Sequence, residues 1–464
     1  MRWMRGAGAA ALAFAGTGFF FTRIAPLATG AAAKTACSAH FLSGRSLEAI
    51  LAEELEPLPY VSVELSEEKR QVRSRLLGLA PATAVYREGL GCTLVHAQSP
   101  AQLRQQALFP RQFDDQAPHA FVDAYDPVLT SSLGIDRRRL ESAMYFAFDE
   151  PYPEEPWRTR AVVVLYRGFL VAEGYREGFQ ADAPLPGEGL SFGALAVLYG
   201  YAAAGGYLPE RDHAVAWPAW ADDERRDLTY ADLFGMADGL DFDDGDGWLA
   251  DAPSMLFRRE DMGRFAAQRP LQYPPHTHFA PSRGTANILS LLLRRALGDA
   301  KYHALPGRLF DALGMRSAVW ELDASGTFGG THLFASGRDW ARLGQLLLQD
   351  GAWNGARLLD PEWVSWMRRP HPTSEGAFGG LLWLNRGVSD NPKARPLPSL
   401  PPDTFSLRGA RGQSVTVIPS REAVVVRLGQ TPGDEWPLDD FLARVLDGLP
   451  RPPAPTPPVR SAAR

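Results

Sequence analysis

The stretch Ala161-Val162-Val163-Val164-Leu165-Tyr166, then Arg167-Gly168, then Phe169-Leu170-Val171-Ala172-Glu173 decides the fold of this 464-residue chain. Two runs rich in β-branched and aromatic residues around a short turn predict a hairpin. The first run contains no polar residue, so the alternation of a half-exposed strand is missing, and a sheet covered on both faces is expected. Two more strands are expected at 414–418 and 423–428, joined by Pro419-Ser420-Arg421-Glu422. Between these sheet pieces, residues 194–204, 288–297 and 339–348 carry buried or amphipathic helical patterns. Strands at both ends with helices between them mean that distant parts of the chain close one sheet. The fold class is therefore α+β: an antiparallel sheet flanked by helices, with an inserted helical subdomain and a small N-terminal region.

Working outward, the composition breaks at Pro151-Tyr152-Pro153. Before it lie a helical stretch at 46–56, a strand at 60–65, the run Gly89-Leu90-Gly91-Cys92-Thr93-Leu94-Val95, and a loop at 110–126. At the start, Arg2 and Arg5 precede an apolar run at 6–21, and small residues follow at 28–33. A positive segment, an apolar stretch and small residues describe an export signal, either cleaved or retained as an anchor. The chain divides into 1–33 (signal peptide or signal-anchor), 34–150 (leader region), 151–448 (main domain) and 449–464 (Pro-rich tail expected to be disordered). The protein is expected to be exported, in the periplasm or anchored facing it. The chain has only two cysteines, Cys37 and Cys92, which in an exported protein pair as a disulfide or remain as buried thiols.

A net charge of -6 without an internal basic run excludes a phosphate-neutralising nucleic-acid face. Hydrophobic residues at 45% and charged ones at 22% exclude a disordered chain and a polytopic membrane protein. His276 and His278 lack a third ligand at a motif spacing. The acidic residues Asp241, Asp243, Asp244 and Asp246 lack the closing Glu of a calcium loop and read as a solvated loop. Ser66-Glu67-Glu68-Lys69 reads as an exposed helix N-cap. No cofactor and no metal is expected.

Four stretches carry a resemblance. They are Leu228-Thr229-Tyr230-Ala231-Asp232-Leu233-Phe234-Gly235-Met236, Gly284-Thr285-Ala286-Asn287, Ala335-Ser336-Gly337-Arg338-Asp339-Trp340-Ala341-Arg342, and Gly412-Gln413-Ser414-Val415-Thr416. In this order and spacing the chain resembles the β-lactamase-related serine hydrolases, which include class C β-lactamases, penicillin-binding proteins and esterases. The resemblance implies a β-lactamase/transpeptidase-like fold. It also implies a Ser-x-x-Lys nucleophile and base, a Tyr that moves the proton, and a strand element such as His-x-Gly beside the oxyanion site.

The chain departs at each element. Gly189 falls at the nucleophile position and Phe192 at the lysine; Pro281 replaces the Tyr and Ala410 the His. Ser191, in Gly189-Leu190-Ser191-Phe192-Gly193, is the one alternative nucleophile, and more simply a first-turn helix residue. The expectation is an exported family member that is catalytically inactive and keeps its cleft for binding or scaffolding, with a peptide or cell-wall fragment as the implied ligand. The alternative is a rewired esterase or amidase using Ser191. Membrane contact is expected only through an uncleaved N-terminal segment, and the residues leave the oligomeric state open.

Overall fold

The computed structural model describes residues 20–106, 127–152, 154, 156–206, 211–387 and 392–451. The loop expected at 110–126, the first nineteen residues and the tail beyond 451 lie outside the described residues.

Helix α1 (Ala25–Phe41) is buried along nearly its whole length. Its small residues have a packing reason, because it is covered on two sides. One side lies on a four-stranded antiparallel meander of β1 (Val61–Ser66), β2 (Gln71–Leu76), β3 (Leu79–Arg87) and β4 (Gly91–Leu94). The other meets the helix Asp251–Arg258, where a Cβ on Gly30 would stand 2.7 Å from the Phe257 carbonyl oxygen. The helix passes unbroken through Ala33 and Lys34, and Ala25, Ala28, Ala32 and Ala33 belong to the same core as Cys37. Cys37 and Cys92 form a disulfide with Cα atoms 6.0 Å apart, fixing α1 to β4. Ser66 ends β1 rather than capping a helix. Its Oγ accepts the Lys69 N–H at 3.3 Å, and Arg70, at φ 43°, turns the chain straight into β2.

Helix α2 (Arg137–Phe148) precedes the main sheet in sequence but packs on it and on the last helix, α6, given below. Strands β5 (Thr159–Tyr166) and β6 (Phe169–Tyr175) form the expected hairpin. After the short strand β7 (Leu185–Pro186) comes helix α3 (Leu190–Ala204), a long helical section containing α4 (Arg283–Leu297), then β8 (Val319–Leu322), β9 (Phe328–Ala335) and α5 (Gly337–Leu348). Strands β10 (Trp383–Leu384), β11 (Phe405–Gly409), β12 (Gln413–Ile418) and β13 (Ala423–Gly429) and helix α6 (Leu438–Gly448) complete the domain. The main sheet runs β10-β11-β12-β13-β5-β6, antiparallel throughout. It is covered twice, as the apolar run required. Ala161, Val163 and Leu165 join the core with α3, α4 and α5, whereas Val162, Val164 and Tyr166 join the core with α2 and α6.

The N-terminal unit is fastened to the domain through Glu321 on β8. This carboxylate is fully buried and accepts from Lys34 Nζ, from Ser38 Oγ at 2.8 Å and from the Cys92 N–H at 2.7 Å. Next to it the Thr93 hydroxyl donates to the Leu322 carbonyl at 2.6 Å. Burial pulls the Lys34 ammonium below its usual range, against the opposing attraction of Glu321. Removing one member of such a pair strands the other in low dielectric. Glu321→Ala is therefore expected to lower stability by about 3–5 kcal/mol in urea unfolding, with Lys34→Met milder because the carboxylate keeps two other donors.

Candidate functional site

A cleft of about 490 Å³ opens where the N-terminus of α3 meets the end of β11. Glu188, Phe192, Arg283, Trp383, Arg408 and Trp436 give it its chemical character. Gly189, Phe192 and Ala410 all line it, so three of the positions implied by the resemblance converge. Pro281 does not line the cleft. It stands just before Ser282, which caps α4 by accepting the Thr285 N–H at 3.3 Å.

Position 189, where the resemblance implies the nucleophile, is closed by main chain. A Cβ on Gly189 would lie 2.6 Å from the Arg408 carbonyl oxygen and 3.0 Å from the Gly409 Cα. Gly409 is bound by the reverse contact, since a Cβ there would stand 2.6 Å from the Gly187 carbonyl oxygen. Two glycines thus let α3 and β11 touch backbone to backbone, leaving no room for a hydroxymethyl group. One turn on, the half-buried Phe192 presents a ring on the same side of the helix.

Ser191 points away from this chemistry. It is 0% exposed, and its Oγ accepts the Leu333 N–H of β9 at 3.2 Å. No hydrogen bond joins it to a His, Lys or carboxylate, so among the described residues it has no base. It sits in the first turn of α3, with Gly189 rather than a side-chain acceptor at the cap.

The cleft nonetheless keeps charge. Glu188, at φ 49°, leads into α3, and burial pushes its carboxyl above the usual range against the pull of Arg411 and Arg283. Arg408 lies 5.8 Å from the Trp383 ring, and its Nε has no hydrogen-bond partner among the described residues. Burial draws its guanidinium down to about 10, with Asp439 opposing. The turn at 410–412 is held from behind: the Arg427 guanidinium donates to the Arg411 carbonyl at 2.9 Å and stacks on Trp436 at 4.3 Å.

Arg283 is the feature that motif matching passed over. It follows the Tyr position by two residues, and its Nη1 pairs with Asp246 at 2.8 Å and its Nε with Asp244 at 3.2 Å. The acidic run is therefore not simply a solvated loop. Asp244 and Asp246 cross to the cleft, and the buried Asp238 accepts from the Thr285 hydroxyl. A lone basic residue at a motif position, with acids thirty-odd residues upstream in a loop, was the available signal. His276 and His278 diverge, the first bonding Asp232 through Nδ1 and the second stacking on Tyr273 at 4.0 Å.

Residues 167–447 match the family model described as Beta-lactamase. No curated protein is matched. Among solved structures, the chain is similar to EstCE1, a hydrolase with promiscuous acyltransferase activity (16% identity, TM-score 0.54, 69% of this chain and 99% of that one). It is similar to a penicillin-binding-protein homologue from Caulobacter crescentus (13% identity, TM-score 0.51, 68% and 97%). A class C beta-lactamase gives 13% identity and a TM-score of 0.52 over 71% and 100%. At these identities the likeness is one of fold.

Two substitutions check the local geometry. Gly189→Ser is expected to cost about 1–3 kcal/mol through overpacking against β11, read as a lower urea midpoint. Ser191→Ala is expected to cost about 1–3 kcal/mol by leaving the buried Leu333 N–H unsatisfied.

Proposed function

Because the chain belongs to the β-lactamase family, we propose that it is an exported member that has given up acyl transfer and keeps its cleft for binding or scaffolding. The observation that carries this reading is the backbone contact at Gly189. Acyl transfer needs a nucleophile with a base in reach. Position 189 has neither a hydroxyl nor space for one, Phe192 offers no base, and Pro281 has no hydroxyl to move a proton. The alternative, a hydrolase built on Ser191, needs an exposed hydroxyl, whereas this one is spent on a backbone N–H in the core.

The ligand we propose is a peptide or cell-wall fragment. An acidic group at Glu188, a cationic one at Arg408 and the faces of Trp383 and Trp436 suit a chain with mixed charge and apolar parts. Export is supported by the N-terminal sequence and by the Cys37–Cys92 disulfide, a bond that persists in oxidising compartments. The compartment we propose is the periplasm, with the chain free in it or anchored facing it.

A fluorophosphonate and a penicillin-type probe test the inactive reading. Incubated with the folded protein and followed by intact mass, both are expected to leave the mass unchanged. Stoichiometric acylation at Ser191 would overturn it and establish the rewired hydrolase instead. Binding is tested by thermal shift with muropeptides, where a rise in Tm that disappears in Arg408→Ala is the expected result.

A further inference from the structure

The turn between β2 and β3 is built from the wrong residue for its backbone. Leu76 pairs with Leu79, so Leu77 and Gly78 alone make the turn, at φ 49° and 81°. Positive φ at both positions is the pattern of a type I′ hairpin, where Asn-Gly or Gly-Gly fits without strain and a leucine does not. That leucine is also 70% exposed. Beside it Leu79 is 54% exposed and Tyr60 72%, and the Leu77 N–H donates to the Tyr60 carbonyl at 3.3 Å, so the three form one apolar tip. Left-handed non-glycine residues recur in the turns of this chain, Arg70 at φ 43° among them, but three large exposed apolar side chains at one tip are not explained by folding. A partner that takes apolar surface explains them.

The direction of α1 brings the N-terminal sequence to that tip. The Ser74 hydroxyl of β2 donates to the Thr29 carbonyl at 2.6 Å, while later in the helix Cys37 is joined to Cys92 and Phe41 stacks on Tyr86 at 5.2 Å. The helix thus starts at the Leu77 end of the meander and finishes at the other. Immediately before it is the apolar run at 6–21, whose last residue is four positions from Ala25. Cleavage after residue 33 would remove nine residues of a buried helix. The same end is basic: Arg23 and Arg259 are exposed, and the Arg258 guanidinium donates to the Arg23 carbonyl at 3.4 Å.

We propose that the apolar run is retained and that the N-terminal unit rests on an anionic phospholipid bilayer, with the turn at Leu77 and Gly78 dipped into it and Arg23, Arg258 and Arg259 at the headgroups. A run of this length is short for a span of about 20 residues, and a short span is accommodated in part by long flanking side chains that reach for the headgroups, a role that Arg23 suits. Apolar residues at the headgroup boundary with arginines around them match an interfacial contact.

The test uses the full chain reconstituted into vesicles of phosphatidylethanolamine and phosphatidylglycerol. Both native cysteines are in the disulfide, so a single introduced cysteine takes an environment-sensitive fluorophore. Leu79→Cys labels the tip, and Lys69→Cys labels the opposite end of the same sheet as a control. Expected are a blue-shifted emission and quenching by doxyl-labelled acyl chains at position 79, with an aqueous spectrum at 69. Equal aqueous spectra at both positions in vesicle-bound protein would overturn the proposal. A blue shift at 79 that persists in lipid-free detergent and grows with protein concentration would overturn it too, assigning the tip to a second copy of the chain. Leu77→Asn supplies a variant that folds: it is expected to raise Tm in detergent, since asparagine suits the turn, while weakening the quenching at 79. Unchanged quenching in that variant would also count against the tip.

Discussion

Glu321 carries a carboxylate at complete burial, and its two oxygens gather the Lys34 ammonium, the Ser38 hydroxyl and the Cys92 N–H. The donors come from a helix and a strand that a disulfide already holds together, while the acceptor comes from the main domain. A buried charge of this kind tolerates little displacement, because a shift that pulls it from all three donors exposes it to the full desolvation penalty. The N-terminal unit is therefore docked in one position. Helix α2 makes the same point from the other side, since it lies before residue 151 yet completes the core on the far face of the main sheet. The composition break near residue 151 marks a change in sequence style but no physical seam.

The sheet was legible because burial on both faces leaves an unmistakable trace, a strand such as Ala161-Val162-Val163-Val164 with no polar residue. The disulfide was one of two open outcomes, and the structure selects it. The small residues at 28–33 were ambiguous for a physical reason. A peptidase site and a helix squeezed between a sheet and another helix both demand small side chains, and Gly30 against Phe257 shows the second demand operating. Ser66-Glu67-Glu68-Lys69 failed because a serine oxygen can cap a tight turn as well as a helix, and only the strand pairing around it decides.

At the site, the missing side chains could be read from motif positions, but the closure could not. It depends on how far β11 advances toward α3, a distance set by Gly189 and Gly409 together across more than two hundred residues of chain. Arg283 and its two acids were hidden on a shorter scale, because Asp244 and Asp246 lie thirty-odd residues upstream in a loop whose path only the fold shows. What remains is a cleft with a fixed floor and charged walls, whose cation Arg408 and anion Glu188 each lack a tight ionic partner among the described residues.

The facing glycines also bear on how this chain can change over time. A serine placed at 189 meets carbonyl oxygen and Cα atoms rather than a neighbouring side chain, so no rotamer adjustment or single compensating truncation makes space. Room has to come from a retreat of β11, which by itself only weakens the sheet. A hydroxyl at position 189 therefore demands two alterations at once, each harmful alone, so the contact works as a ratchet against single substitutions.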